Sequence, residues 1–339
     1  MKQNVEVLIT LPFREDHLER LAKISPQFHI RQIRTWEQDD VPDDVWEKID
    51  ILYTDQVLPQ PEQAPELGWI QFHWAGISHA LQHPILQKPG LMITTLSGAA
   101  ASKVAEYTVL LMLALSNHLP TILANQKKAE WPGDRWERLK PAELRGSTVG
   151  IVGYGSIGRQ VARLLSSFGM EILAAKLDAK DPVDHGYTAP GWGDPQGDLV
   201  RRIYPIQALT WMVKESDFLV VTAPLTEQTS EIIGEEVFSS MKPTAFLVDV
   251  SRGGIVDHLA LARAIKDRKL AGAALDVFSK EPLPADSPLW KLPNVIISPH
   301  VAGITPHYDD RAVELFAQNL QRYMDDQPLL NLFSFERGY

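Results

Sequence analysis

Cysteine is absent from this 339-residue sequence. That removes a disulfide framework, a thiolate metal site and a cysteine nucleophile at once, and the chain needs nothing beyond a reducing cytoplasm. Long hydrophobic runs are missing too. The most apolar stretch, Tyr107 to Leu115, is nine residues long, where a membrane span needs about 20. The opening MKQNVEVLITLPFRED has no basic region followed by an apolar core and a cleavage site, so it does not read as a secretory signal. The expectation is a soluble cytoplasmic protein with no membrane partner. Positive charge is in deficit, 33 Lys+Arg against 43 Asp+Glu, which argues against general nucleic-acid binding. There is no G-x-S-x-G elbow and no Gly-Lys-Ser/Thr phosphate loop. Of the other nine histidines, His258, His307 and His185 lie beside segments of interest, but none has a His or Asp partner at metal-ligand spacing on a helix, and no metal is assigned.

The length predicts about two domains. Strand-like segments over the first hundred residues are Val5–Leu11, Phe28–Arg34, Asp50–Gln56, Trp69–Ala75 and Met92–Ser97, with a helical REDHLERLAKI between the first two. This alternation points to a parallel sheet with helices on both faces. Val104–Leu119 follows as a helix with a single charge, Glu106. Such a helix is buried, here expected between domains. Trp131–Gly146 reads as a polar connector. A second series begins at Ser147, with strands Thr148–Val152, Glu171–Ala175, Asp217–Thr222, Ala245–Val250, Ala271–Asp276 and Asn294–Ser298. Six strands with intervening helices fit a doubly wound dinucleotide-binding domain. The last helix, YDDRAVELFAQNLQRYM, puts Val313, Phe316, Leu320 and Tyr323 on one face.

The segment from Asp181 to Asp198 holds four Gly, three Pro and four Asp. It is a long loop where a short one would serve. A tolerated surface insertion, a flap near a cofactor and an oligomer contact are all compatible with it.

GYGSIG sets Gly153, Gly155 and Gly158 in the G-x-G-x-x-G spacing, after an apolar strand ending at Val152 and before the helix RQVARLLSSF. The first glycine makes the tight turn, the second lets a pyrophosphate approach, and the third lets helix pack on strand. The helix N-terminus then offers free N–H groups to the phosphates. Tyr154, Ser156 and Ile157 complete that turn. About 20 residues on, an acid would grip a ribose 2′-OH; the strand end carries Lys176 instead. A cation there suits a 2′-phosphate and leans the choice to NADP. Asp178, two residues further, would restore NAD, and a merely solvated lysine stays open.

Three later strand ends carry chemistry. DVSRGGIVD presents Arg252, whose guanidinium can fork onto a planar carboxylate. LDVFSKEPLP carries Asp276 and Glu281. NVIISPHVAG presents His300. Reducing a carbonyl next to a carboxylate needs a cation, a proton donor and a group that tunes the donor. Histidine is the natural donor, and a nearby carboxylate favours its charged form.

These segments resemble the D-isomer-specific 2-hydroxyacid dehydrogenase family. The matching pieces are LRGSTVGIVGYGSIGRQVARLL, TAPLTEQT, LVDVSRGGIVDHLALARAI and AGAALDVFSKEPLPADSPLWKLPNVIISPHVAG, about half the chain in the family's order. The resemblance implies that Arg252 anchors the substrate carboxylate, His300 protonates the carbonyl oxygen and Glu281 pairs with His300. It places Asp276 near the nicotinamide carboxamide. Ala223, Pro224 and Thr229 fall on the adenosine-side wall, and Val250 and Ser251 beside the ring. It further implies a Rossmann doubly wound dinucleotide domain, residues 104–304, inserted into a smaller flavodoxin-like α/β substrate domain, residues 1–103 and 305–339. Backbone amides near Trp74, Ala75, Gly76 and Ile77 would then meet the substrate once the domains close. NADP or NAD is the implied cofactor, a small 2-oxo or 2-hydroxy acid the substrate, and a homodimer the assembly.

Several positions depart from the family pattern. HWAGIS replaces a more glycine-rich loop, so Trp74 and Ser78 reshape the pocket. Asp249 stands for a commoner Asn, Lys176 for the usual Asp, and the Asp181–Asp198 loop is longer. Glu281, where formate-oxidising relatives carry Gln, argues against that branch. Two alternatives remain beside the glyoxylate or hydroxypyruvate reductase. One is a dinucleotide-regulated corepressor module, whose extra tails this sequence does not show. The other is a phosphite-oxidising enzyme.

Overall fold

The computed structural model describes residues 4–338. The chain divides into two compact units, one running to Ala99 and resuming at Thr305, the other covering Ala100–Ile304. The boundary at Ala99 falls four residues before the expected one.

The first unit begins β1 (Val5–Ile9), α1 (Glu15–Ala22), β2 (Phe28–Gln32), α2 (Asp43–Trp46), β3 (Ile51–Thr54), β4 (Trp69–Phe72) and β5 (Met92–Thr94). The five strands lie in the order β2-β1-β3-β4-β5, all parallel. This is the flavodoxin-like order. Every residue of β3 and β4 is buried, as a sheet covered on both faces requires. That explains why ILYT and WIQF do not alternate apolar with polar residues; even their polar members, Thr54 and Gln71, are fully buried.

The second unit contains α3 (Ala101–Ser116), α4 (Leu119–Lys127), α5 (Arg135–Arg138), β6 (Thr148–Val152), α6 (Ser156–Ser167), β7 (Glu171–Lys176), β8 (Arg202–Pro205), α7 (Leu209–Glu215), β9 (Phe218–Val221), α8 (Glu235–Ser240), β10 (Phe246–Asp249), α9 (His258–Lys266), β11 (Gly272–Leu275) and β12 (Val295–Ile297). Its sheet runs β12-β11-β10-β9-β6-β7-β8, again parallel throughout. Strand order reverses between β6 and β9, the switch point where such sheets bind ligands at their carboxyl ends. Seven strands form where the sequence predicts six; β8 escapes because RIYP is four residues, begins with Arg and ends with Pro. Alternate residues of β9 serve two cores. Leu219 and Val221 face one cluster with Leu247 and Ile255. Phe218 and Val220 face the other with Met112 and Val161.

The helix expected over Val104–Leu119 starts earlier and is split. It opens at Ala101, stops at Ser116, and His118 takes a left-handed φ of 53° before α4 begins with Pro120 in its first turn. Proline fits a helix start and not its interior, so the break falls there. α3 packs on α6 within the second unit. Among the described residues no single helix is long and apolar enough to cross a membrane.

α10 (Tyr308–Met324) returns the chain to the first unit. Val313, Phe316 and Leu320 are fully buried with Val5, Ile9, Tyr53 and Trp69. Tyr323 stacks on Trp69 with ring centroids 5.7 Å apart. Burying a side chain such as Phe316 is worth about 1.5–3 kcal/mol. The returning helix is therefore a main holder of that core.

Candidate active site

The turn after β6 is built by close backbone approach. Gly153 has φ of 93°, and a Cβ there would sit 2.5 Å from the Ala223 backbone. Thr222, which ends the neighbouring strand, donates its hydroxyl to the Gly153 carbonyl at 2.7 Å. A Cβ on Gly158 would meet the Gly153 carbonyl at 2.3 Å, so α6 can begin only this near the strand if that residue is glycine. Gly155 differs: a Cβ there would touch nothing within 4 Å. Protein packing does not require that glycine, but a group approaching the N-terminus of α6 does. No side chain caps this helix start at Gly155, which leaves its first N–H groups for an anion. The turn thus fits a dinucleotide pyrophosphate.

The neighbouring wall is formed by Ala223, which is buried, and by the turn that Thr229 closes. The Thr229 hydroxyl donates to the Pro224 carbonyl at 2.7 Å and accepts the Thr226 N–H at 2.8 Å.

The second part of the site stands on the loops after β10, β11 and β12. Arg252 is exposed on the first loop, with Nη1 donating to the Ser251 carbonyl at 2.8 Å. A Cβ on Gly253 would lie 1.9 Å from the Phe278 carbonyl oxygen. Only glycine lets the Arg252 loop touch the loop that carries Glu281. Glu281 accepts the Phe278 N–H on Oε1 at 2.9 Å and meets His300 Nδ1 with Oε2 at 2.8 Å. Burial pushes the Glu281 carboxyl up, but the hydrogen bonds from His300 and the Phe278 N–H outweigh it, and its pKa lies below the usual range. With Nδ1 held by a carboxylate, Nε2 is the nitrogen His300 can offer to a substrate.

His300 adopts a left-handed φ of 53°, a conformation non-glycine residues hold only when their surroundings impose it. Asp276 imposes it. Its backbone carbonyl accepts the His300 N–H at 2.9 Å. Its carboxylate, 1% exposed, accepts Ser298 Oγ at 2.6 Å, the Val301 N–H at 3.0 Å and the Ala302 N–H at 2.9 Å. The structure therefore commits this carboxylate to holding the His300 loop. Asp249 is a second fully buried carboxyl. Oδ1 accepts the Ser251 N–H at 3.1 Å and its hydroxyl at 2.5 Å, while Oδ2 has no partner among the described residues. Burial raises its pKa to about 7, with the nearby Asp276 adding to the rise. Val250 and Ser251 are both buried, and the Ser251 hydroxyl turns inward to Asp249.

Lys176 ends β7, and its Nζ donates to the Asp181 carbonyl at 2.5 Å. The Asp181–Asp198 segment is bound to α6 rather than left as a free excursion. Its fastener is Arg159, only 1% exposed. Arg159 Nε donates to the Tyr154 carbonyl at 3.1 Å, Nη1 to the Asp194 carbonyl at 2.5 Å and Nη2 to the Pro182 carbonyl at 2.6 Å. Its guanidinium lies 4.7 Å from the Tyr154 ring centre, and the Tyr154 hydroxyl donates to Asp194 Oδ2 at 2.6 Å. Arg159 carries no recognisable motif; a charged residue one turn into an otherwise amphipathic dinucleotide helix, on its buried side, is the signal that could have found it.

In the first unit, Trp74 and Ala75 are exposed after β4, Gly76 is half-buried and Ile77 is buried. The N–H groups of Ala75, Gly76 and Ile77 donate to no acceptor among the described residues. Trp74 packs on Tyr308 with ring centroids 4.9 Å apart, and the Tyr308 hydroxyl donates to the His73 carbonyl at 2.9 Å. Burial lowers the His73 pKa to about 4, so that ring is neutral and serves as packing. Among the described residues no group of three His, Asp or Glu side chains could hold a metal ion.

Comparison with known proteins agrees with this arrangement. The profile of the D-isomer specific 2-hydroxyacid dehydrogenase NAD-binding domain matches residues 109–302. A glyoxylate reductase of Thermofilum pendens is 35% identical over 275 residues, 79% of this chain and 76% of that protein. A D-3-phosphoglycerate dehydrogenase of Methanocaldococcus jannaschii is 32% identical over 323 residues, 94% of this chain and 57% of that one. The crystal structure of a D-isomer specific 2-hydroxyacid dehydrogenase family protein from Aeromonas salmonicida superimposes with a TM-score of 0.76 at 30% identity, covering 98% of this chain and 100% of that chain.

Proposed function

The chain belongs to the D-isomer specific 2-hydroxyacid dehydrogenase family and is an NAD(P)-dependent oxidoreductase, and on that premise we propose that it interconverts a small 2-oxo acid and its 2-hydroxy acid, of the glyoxylate or hydroxypyruvate type. The observation that carries this reading is the His300–Glu281 pair at 2.8 Å, one glycine contact away from the loop of Arg252. A bound nicotinamide supplies the hydride. Arg252 grips the substrate carboxylate through two N–H donors. His300 Nε2 gives a proton to the carbonyl oxygen as charge develops there, and takes it back in the reverse direction. Glu281 keeps the ring oriented and stabilises its charged form. We assign Trp74–Ile77 to the substrate on its three free N–H groups, which suit a carboxylate oxygen. Val250, Ser251 and Asp276 shape the ring end of the cofactor site from behind. Ala223, Pro224 and Thr229 line the adenosine end.

We further read the cofactor as NADP in preference to NAD, supported by the ammonium of Lys176 at the end of β7. The assembly we expect is a homodimer. Leu110, Leu119, Ile122 and Leu123 are exposed on α3 and α4, and Trp131 and Trp136 on the connector that follows, Trp131 at 84%. These exposed apolar side chains, close together in sequence, are what supports an interface on this part of the second unit.

The test is oxidation of NADPH and of NADH by the purified protein with glyoxylate, hydroxypyruvate, pyruvate and longer 2-oxo acids. Turnover with a small 2-oxo acid is expected. Dinucleotide binding without turnover of any of them would overturn the reading. Light scattering on the same sample checks for the dimer.

A further inference from the structure

The Asp181–Asp198 loop touches both ends of the dinucleotide motif. At the phosphate end, Arg159 ties the Tyr154 carbonyl to the carbonyls of Asp194 and Pro182. The Tyr154 hydroxyl repeats the tie through Asp194 Oδ2. At the ribose end, the Asp181 carbonyl holds the Lys176 ammonium. The loop is itself fixed. The Gly193 N–H donates to Gln160 Oε1 of α6 at 2.6 Å, and Asp194 accepts the N–H groups of Asp198 and Leu199 at 2.9 and 3.1 Å.

We propose that this loop is a specificity element for the cofactor ribose: Arg159 locks it against the phosphate turn, and the locked loop holds the Lys176 ammonium where a ribose 2′-phosphate arrives. This rests on the reading of Lys176 as the group that meets the 2′ position. An ammonium has three donors, and the loop carbonyl uses one of them. A free lysine loses rotamer entropy when it is fixed by a ligand. One already held loses less at the moment of binding, so affinity rises through preorganisation. Burial and the Arg159 charge lower the Lys176 pKa, opposed by Asp181, Asp178 and Asp184. Arg159 is on this account a positioning residue: its donors go to the carbonyls of Tyr154, Asp194 and Pro182, and its Nε also lies 3.6 Å from Asp184 Oδ2 of the loop.

The geometry also supplies the means of removing the loop. A Cβ on Gly197 would lie 2.8 Å from the Pro182 carbonyl, so the two ends of the loop adjoin and two glycines can join them in place of residues 183–196. The experiment measures NADPH and NADH dissociation constants, by quenching of tryptophan fluorescence, for the full chain and for Arg159→Met, Tyr154→Phe, the loop excision and Lys176→Ala. Circular dichroism checks folding. The wild-type chain is expected to bind NADPH more tightly. Arg159→Met and the excision should each cut that preference about fivefold or more, and Tyr154→Phe about twofold. A loop with only a structural role would weaken both dinucleotides in proportion or lower the melting temperature alone. A preference unchanged within twofold in the excision variant, with Lys176→Ala still abolishing it, overturns the role of the loop and leaves the reading of Lys176 intact. A preference that Lys176→Ala leaves in place overturns both. Should Arg159→Met fail to fold, the excision and Tyr154→Phe decide.

Discussion

The glycine turn after β6 and the Arg252–Glu281–His300 rim occupy the same sheet edge, at the carboxyl ends of parallel strands, yet they are fixed by different means. The turn is held by backbone. Gly153 lies against Ala223 and Gly158 against the Gly153 carbonyl, and the groups it offers are N–H donors that do not titrate. The rim is held by carboxylates. Asp276 grips the His300 loop with both oxygens, Asp249 braces Ser251, and Glu281 orients the imidazole. A binding site for a constant anionic group can be set once in backbone. On the proposed reading the rim moves a proton, and a site that does so must be set in groups that respond to one.

Four substitutions would break or sharpen this contrast. Gly153→Ala should have the largest effect, because its methyl group meets backbone at 2.5 Å and a non-glycine residue at that φ is strained. Dinucleotide affinity should fall beyond measurement by fluorescence titration. Arg252→Ala attacks the rim alone. Its kcat/KM for a 2-oxo acid should drop by about 10²–10³, the scale of losing one oriented charge donor, with dinucleotide affinity unchanged. An equal loss in both would mean that turn and rim are not separable. Asp276→Asn replaces an acceptor of two N–H groups with an amide that turns a donor toward one of them. Displacing the His300 loop should lower kcat about 10²-fold, again with the dinucleotide still bound in titrations.

Asp249→Asn is the mildest. The amide keeps an oxygen for Ser251, so activity near pH 6 should change less than about threefold. Its signature is in stability. Asp249 has a folded pKa raised to about 7 from 3.8. Between those values the native chain holds a proton that the unfolded chain has released. Its stabilising share is therefore full below the unfolded value and is lost as the pH climbs through the folded one. The wild-type melting temperature should fall between about pH 4 and pH 7 and level off above that, and the asparagine variant should fall less. Equal slopes would show that Asp249 is not held neutral.

What could be read from the sequence follows the same division. GYGSIG was readable because the chemistry of a phosphate turn demands glycine at set spacings. Arg252, Glu281 and His300 were readable as polar residues on the loops that follow three successive strands, which is where the structure places them. The engagement of Asp276 by the N–H groups of Val301 and Ala302 was not, because a carboxylate that captures backbone looks in sequence like any other acid. Arg159 was missed for the complementary reason: its hydrogen bonds go to the carbonyls of Tyr154, Pro182 and Asp194, which have no side-chain signature, and its acidic partner Asp184, at 3.6 Å, lies far along the chain in the loop. Strand β8 was hidden by its brevity, and the end of α3 moved because His118 and Pro120 stop a helix that the apolar pattern alone continues.

The return of α10 to the first unit has a consequence for how the chain is made. The first 99 residues supply five strands, but Val313, Phe316 and Leu320, which fill their core, leave the ribosome only after the whole second unit. At about 5–20 residues per second, the intervening two hundred residues or so keep that core waiting for tens of seconds. The unit synthesised first is the last able to finish folding, while its neighbour, contiguous in the chain, can complete itself in between. The nascent protein thus carries an unfinished apolar surface through most of its synthesis, and its dependence on chaperones should concentrate there.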